Sequence, residues 1–132
     1  MVAYFEGFTS KPAVPKLRLY DGTKSPYRGA DPGMELLEDF SFVDKHDVVW
    51  TAHQYDITDG ASIPWFSQPL IGKPYNRTYL GPAVLHDVYC RDKQRSKWAT
   101  DRMFYESMMC NGVPMWKAYS MWTAVYTFGQ WW

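Results

Sequence analysis

At 132 residues the chain is the size of one domain around one core, which excludes two independent domains. Fourteen Lys plus Arg against fourteen Asp plus Glu leave a formal net charge of zero, so no overall field recruits a polyanion, which argues against a general nucleic-acid binder. Aromatic residues make up 18% of the chain, with seven Trp and ten Tyr, far too much apolar surface for a disordered polypeptide.

The first half reads as strands and turns. Val2–Phe8 and Lys16–Tyr20 are short apolar or alternating runs, bounded by Lys11-Pro12, Pro15 and the turn signal Asp21-Gly22. Thr23–Gly33, rich in Pro and Gly, reads as an irregular surface loop. Met34–Val43 and Asp47–Ile57 are two further extended segments separated by Asp44-Lys45-His46, and together these runs predict a small antiparallel sheet. Beyond Asp59-Gly60 the pattern turns helical. Ser62-Ile63-Pro64-Trp65 sets an N-cap residue before Pro. Val84 with Val88 and Leu85 with Tyr89 repeat at helical spacing, so a helix starts at Pro82. Ser96 caps a second helix through Cys110, which stops at Asn111-Gly112 because both residues tolerate the left-handed conformation. Val113-Pro114 opens a third that ends near Gly129. The expectation is one α+β domain over 1–132, strand-rich over 1–58 and helical over 62–129.

Cys90 and Cys110 allow one bridge at most, and a reducing compartment is the simpler reading. Met1–Ser10 lacks the basic start and apolar run of a secretory signal. Val113–Trp132, the most apolar stretch, is interrupted by Lys117 and Gln130 and falls short of the roughly twenty apolar residues that span a bilayer.

The chemistry concentrates in Leu85-His86-Asp87-Val88-Tyr89-Cys90. His86 lies three residues before Tyr89 and four before Cys90, so the three share a helical face while Asp87 points elsewhere. On the next helix Asp101 falls on the inward side with Phe104, Tyr105 and Met108, and an inward carboxylate needs a partner. An antiparallel pair joined by Arg91–Arg95 brings Asp101 against His86, either as the His/Asp half of a hydrolytic site or as a tie between two helices. Asp59-Gly60-Ala61-Ser62-Ile63-Pro64 reads as a calcium loop, with Asp56 and Asp59 as carboxylate donors, or as a strand-to-helix turn capped by Asp59 or Ser62. His53, His86, Cys90, Asp101 and Cys110 form a conceivable transition-metal set, but no C-x-x-C or H-E-x-x-H completes it, which disfavours zinc. The run Arg91, Lys93, Arg95, Lys97 suits phosphate at short range or a solvated loop. On the third helix the aromatic arc containing Trp116, Tyr119, Trp122 and Tyr126, continued by Trp131 and Trp132, is wider than packing on one sheet needs. It suits a membrane interface, a partner subunit, a virion neighbour or an aromatic-rich core.

Thr58-Asp59-Gly60-Ala61-Ser62-Ile63-Pro64, Pro82-Ala83-Val84-Leu85-His86-Asp87, Ala99 with Asp101 through Phe104, and Gly112-Val113-Pro114 with Met121 and Ala124-Val125 together resemble DUF1353, a family of small phage and prophage proteins without an established activity. The resemblance covers roughly residues 34 to 129 and implies a phage-derived protein of the host cytoplasm or the assembled virion. His86-Asp87 followed by Asp101 and Phe104 is also similar to the two-helix core of phospholipase A2. That likeness implies His86 as the base for a water, Asp101 as its orienter, and Asp87 as a calcium ligand with the Asp59–Ile63 loop, Ser62 and Tyr89 supporting. It departs from the phospholipase pattern at Cys90, where that family has Tyr, and in its single loop glycine, Gly60.

The expected function is a calcium-assisted lipid-ester hydrolase docking through the third helix on a lipid interface. The alternatives are a non-catalytic virion or assembly protein, packed on other phage subunits or on its own copies, and an inhibitor of a host protein.

Overall fold

The computed structural model describes residues 2–20, 33–58, 77–129 and 131–132. Among them lie six strands: β1 (Tyr4–Phe5), β2 (Leu17–Tyr20), β3 (Gly33–Leu36), β4 (Phe40–Val43), β5 (Val49–Ala52) and β6 (Ile57–Thr58). Three helices follow: α1 (Arg77–Asp92), α2 (Lys97–Cys110) and α3 (Met115–Phe128). The fold class is the α+β expected, strands first and helices after. The sheet differs, because two three-stranded antiparallel sheets form, β1-β4-β5 and β2-β3-β6.

The split follows from two breaks in the extended runs. Asp39 Oδ1 accepts the Gln54 amide at 2.7 Å, Asp56 Oδ2 accepts the His53 amide at 2.8 Å, and Tyr55 takes φ 74°. Aspartates that bond nearby amides offer the backbone an alternative to the ladder. Met34–Val43 and Asp47–Ile57 therefore each divide, sending one half to each sheet.

Register puts the apolar residues inward. Phe40 pairs with Ala52 and Phe42 with Trp50 across β4 and β5, and all four are buried. The hairpin between them is closed by Asp44, whose carboxylate accepts the His46 amide (2.8 Å), the Val48 amide (3.0 Å) and the Trp50 indole N–H (3.0 Å). This face packs on Val84, Leu85, Val88 and Tyr89 of α1. The opposite side of α1, with Tyr79 and Ala83, joins Phe104 and Met108 of α2 and Ala118, Met121 and Val125 of α3 in a second core. Helix α1 is thus covered on both sides, and His86 is forced into the interior.

Helix α1 begins at Arg77, five residues before the expected Pro82, which lies inside it. An interior proline has no N–H for the carbonyl four residues back, here Thr78. Asn111 Nδ2 donates to that carbonyl at 3.3 Å and to the Ala13 carbonyl at 3.2 Å, while Asn111 Oδ1 accepts the Ala13 amide at 2.9 Å. The residue that stops α2 thereby makes Pro82 tolerable in α1. Gly81 is required by the same packing, because a Cβ there would stand 2.7 Å from Phe40 Cζ.

Helix α2 is bounded as expected. Ser96 Oγ accepts the Ala99 amide at 3.1 Å, and the chain turns at Asn111 into Gly112, at φ 88°. Cys90 and Cys110 are both free thiols.

Candidate functional site

The short connection between α1 and α2 sets the two helices side by side, and the inward residues of each meet. His86 Nε2 lies 2.6 Å from Asp101 Oδ1, with His86 6% exposed and Asp101 fully buried. The juxtaposition expected from helical spacing is therefore present.

Sequence reasoning missed the third member. Lys97, assigned to a run that suits phosphate or a solvated loop, is 4% exposed, and its ammonium donates to Asp101 Oδ2 at 2.8 Å and to the Val125 carbonyl of α3 at 2.9 Å. The signal was present in the i, i+4 spacing to Asp101, which puts Lys97 on the inward face with it. Around the ammonium stand the rings of Trp131 (4.8 Å), Tyr126 (5.6 Å) and Trp132 (5.8 Å). Trp132 is held there by its indole N–H, which donates to the Arg95 carbonyl at 2.7 Å. Tyr126, Trp131 and Trp132, assigned to an interface, thus also serve the interior.

These contacts fix the imidazole. A carboxylate is acceptor-only, so His86 Nε2 is the donor toward Asp101, which in a neutral ring leaves the lone pair on Nδ1. Phe104 packs on the ring with centroids 4.7 Å apart. Cys90 Sγ lies 3.6 Å from Nδ1 and 3.5 Å from Nε2. A sulfur equidistant from both nitrogens in the ring plane would overlap Cε1, so it sits off that plane. The thiol packs against the imidazole without taking the in-plane lone pair of Nδ1.

Burial pushes the Cys90 thiol up to about 12, the Asp101 and Asp87 carboxylates add to the rise, and Lys97 opposes it. At neutral pH it is a protonated thiol and a poor nucleophile. The ligand atoms of His86, Cys90 and Asp101 fall within 4.8 Å of one another. Nε2 and Oδ1 stand at hydrogen-bonding distance, and the sulfur lies off the ring plane. Of the wider set, Cys110 Sγ donates to the Ala3 carbonyl at 3.6 Å, and His53 is exposed beside Asp39 at 3.9 Å.

Asp87 is half-buried one residue along α1 from His86. Tyr89 does not join the site. Its hydroxyl accepts the Thr51 amide at 2.9 Å, and its ring meets Trp50 edge-on, because the sheet covers that side of α1. Asp59, Gly60 and Ser62 lie outside the described residues.

Fold and site together define an α+β protein in which a Lys–Asp–His network joins three helices. Residues 34–125, well over half of the chain, match the family model described as "Protein of unknown function (DUF1353)", and the chain belongs to that family. It is 42% identical over 113 residues to "Uncharacterized protein y4jT" of Sinorhizobium fredii (strain NBRC 101917 / NGR234), covering 84% of this chain and 34% of that protein. It is 41% identical over 103 residues to "Uncharacterized protein y4iH" of the same organism, covering 77% of this chain and 43% of the relative. The chain thus spans less than half the length of these curated relatives. No solved structure matches it significantly.

Proposed function

We propose that the chain is a phage-derived lipid-ester hydrolase in which His86 is the general base. The observation that carries this reading is the 2.6 Å bond from His86 Nε2 to the buried Asp101 carboxylate, which orients the imidazole and directs its lone pair to Nδ1. In the reaction, Nδ1 takes a proton from water as the water oxygen bonds to the ester carbonyl carbon. The tetrahedral intermediate then expels the alcohol, which receives that proton from His86. Asp101 holds the transient imidazolium in place without accepting its proton, as in other His/Asp pairs.

Asp87, next to His86 in the chain, offers a hard oxygen donor of the kind calcium takes, and Asp59 and Gly60 would add donors. Bound calcium contributes positive charge that favours an oxyanion. A phospholipid-vesicle assay with calcium tests the reading. Hydrolysis is expected from the parent and a loss of at least about 100-fold from His86→Ala, measured on protein that still unfolds cooperatively. Equal or absent release from both proteins removes the hydrolase.

One observation favours a second reading. Lys97 occupies the other Asp101 oxygen and reaches α3, so the network also serves as a tie among three helices. On that reading the chain is a non-catalytic virion or assembly protein, and its stoichiometric presence in purified particles is the expected result.

A further inference from the structure

The helical half carries a surface that meets the His86 network only through Tyr126 and Trp131. Tyr119, Trp122 and Tyr126 recur along α3 at spacings of three and four residues, with neighbouring ring centroids 5.9 and 5.4 Å apart. Trp98 of α2 meets Trp122 and Tyr126 edge-on at 5.8 and 5.6 Å, and Trp131 extends the row 5.1 Å beyond Tyr126. Trp98, Trp116 and Tyr119 are 51%, 61% and 59% exposed. Trp98, Arg102, Tyr105, Tyr119 and Trp122 line an open groove of about 280 Å³ between α2 and α3.

Two properties of this face name its occupant. The first is charge. Arg102 lines the groove and Lys117 Nζ stands 5.5 Å from the Trp116 ring centre, while the chain from Ser107 to Trp132 contains no Asp or Glu. The adjacent acid, Glu106, touches Arg102 at 3.9 Å, is only 9% exposed, and also faces Lys45. A chain of zero net charge thus presents positive charge here. The second is hydrogen bonding. Among the described residues, nothing accepts from the indole N–H groups of Trp98, Trp116, Trp122 and Trp131 or from the hydroxyls of Tyr119 and Tyr126, whereas Trp50 and Trp132 are both paired.

Rings with polar tips and flanking cations suit the headgroup region of a bilayer. There, phosphate and ester oxygens accept at every lateral position, so the donors need no fixed register. A sugar would require planar polar side chains beside the rings, and among the described residues the groove offers only Arg102. Among the described residues no helix is long and apolar enough to cross a membrane, so attachment is peripheral, with α3 in the plane of the interface.

We infer that the α2/α3 aromatic face docks on an anionic phospholipid surface. The inference deepens the lipid-ester reading by naming its docking surface, and vesicle binding is read separately from hydrolysis.

Co-sedimentation with vesicles of phosphatidylcholine, with and without about one third phosphatidylglycerol, is the test. Two cations at about fivefold each predict roughly 25-fold tighter partition onto the anionic vesicles, weakening as salt is added. Lys117→Glu should cut the anionic preference by at least about fivefold. Trp116→Ser with Tyr119→Ser, both at exposed positions, should abolish binding to either vesicle with an unchanged circular dichroism spectrum. His86→Ala protein should bind like the parent, which separates loss of docking from loss of hydrolysis. Absence of binding, equal binding to neutral and anionic vesicles, or a solution dimer that needs Trp116 and Tyr119 without vesicle binding would each overturn the inference.

Discussion

Asp44 and Asp101 are both nearly or wholly buried, at 1% and 0% exposure, yet they are satisfied in opposite ways. Asp44 takes its donors from within six residues: two backbone amides and one indole, held in place by the β4–β5 hairpin. Asp101 takes its donors from Lys97, one turn earlier on α2, and from His86 on α1, and Lys97 extends the network to α3. A carboxylate bonded by groups that do not titrate closes a turn and does little else. One bonded by two titratable side chains from different helices can set the proton position of its partners. That difference is why the functional proposal rests on Asp101.

The strongest way to break the comparison is to take the buried cation from the Asp101 site. Lys97→Met keeps most of the side-chain volume and leaves a buried carboxylate without its cation, so a loss of about 3–5 kcal/mol is expected by urea unfolding. A loss below about 1 kcal/mol would make Lys97 equivalent to a surface pair.

A smaller effect sharpens the other side. Burial alone would raise the Asp44 carboxyl, but hydrogen bonds from Trp50, Val48 and His46 and the charge of Arg102 outweigh it and hold the group below the usual carboxylate range. A depressed folded value means that the stabilisation is fully present above the unfolded value near 4 and is lost as pH falls through the folded one. Asp44→Asn should therefore be least stable relative to the parent at neutral pH, and the gap should close below about pH 4. A gap independent of pH would show that the Asp44 charge plays no part.

The helical site was legible where local rules act alone. Ser96 and Asn111-Gly112 bounded α2 correctly, and helical periodicity put His86 and Asp101 on facing sides. Long-range contacts hid the rest. Pro82 reads as a start because nothing local shows that Asn111 takes up the Thr78 carbonyl. Tyr89 shares His86's face by spacing, yet the sheet draws its hydroxyl to Thr51. Lys97 belongs to a basic run whose other members are more exposed, and only its spacing to Asp101 marks it as inward. In the strand half, alternation could not show that Asp39 and Asp56 interrupt the runs and divide one sheet into two.

The proton position on His86 tests the site most directly. Long-range proton–nitrogen correlation spectra resolve the tautomers of neutral histidine rings, and exposed His46 and His53 serve as internal references. His86 is expected to be fixed with its proton on Nε2. A proton on Nδ1, or a ring averaging between tautomers like the exposed histidines, would contradict the assignment of Asp101 as its orienting partner.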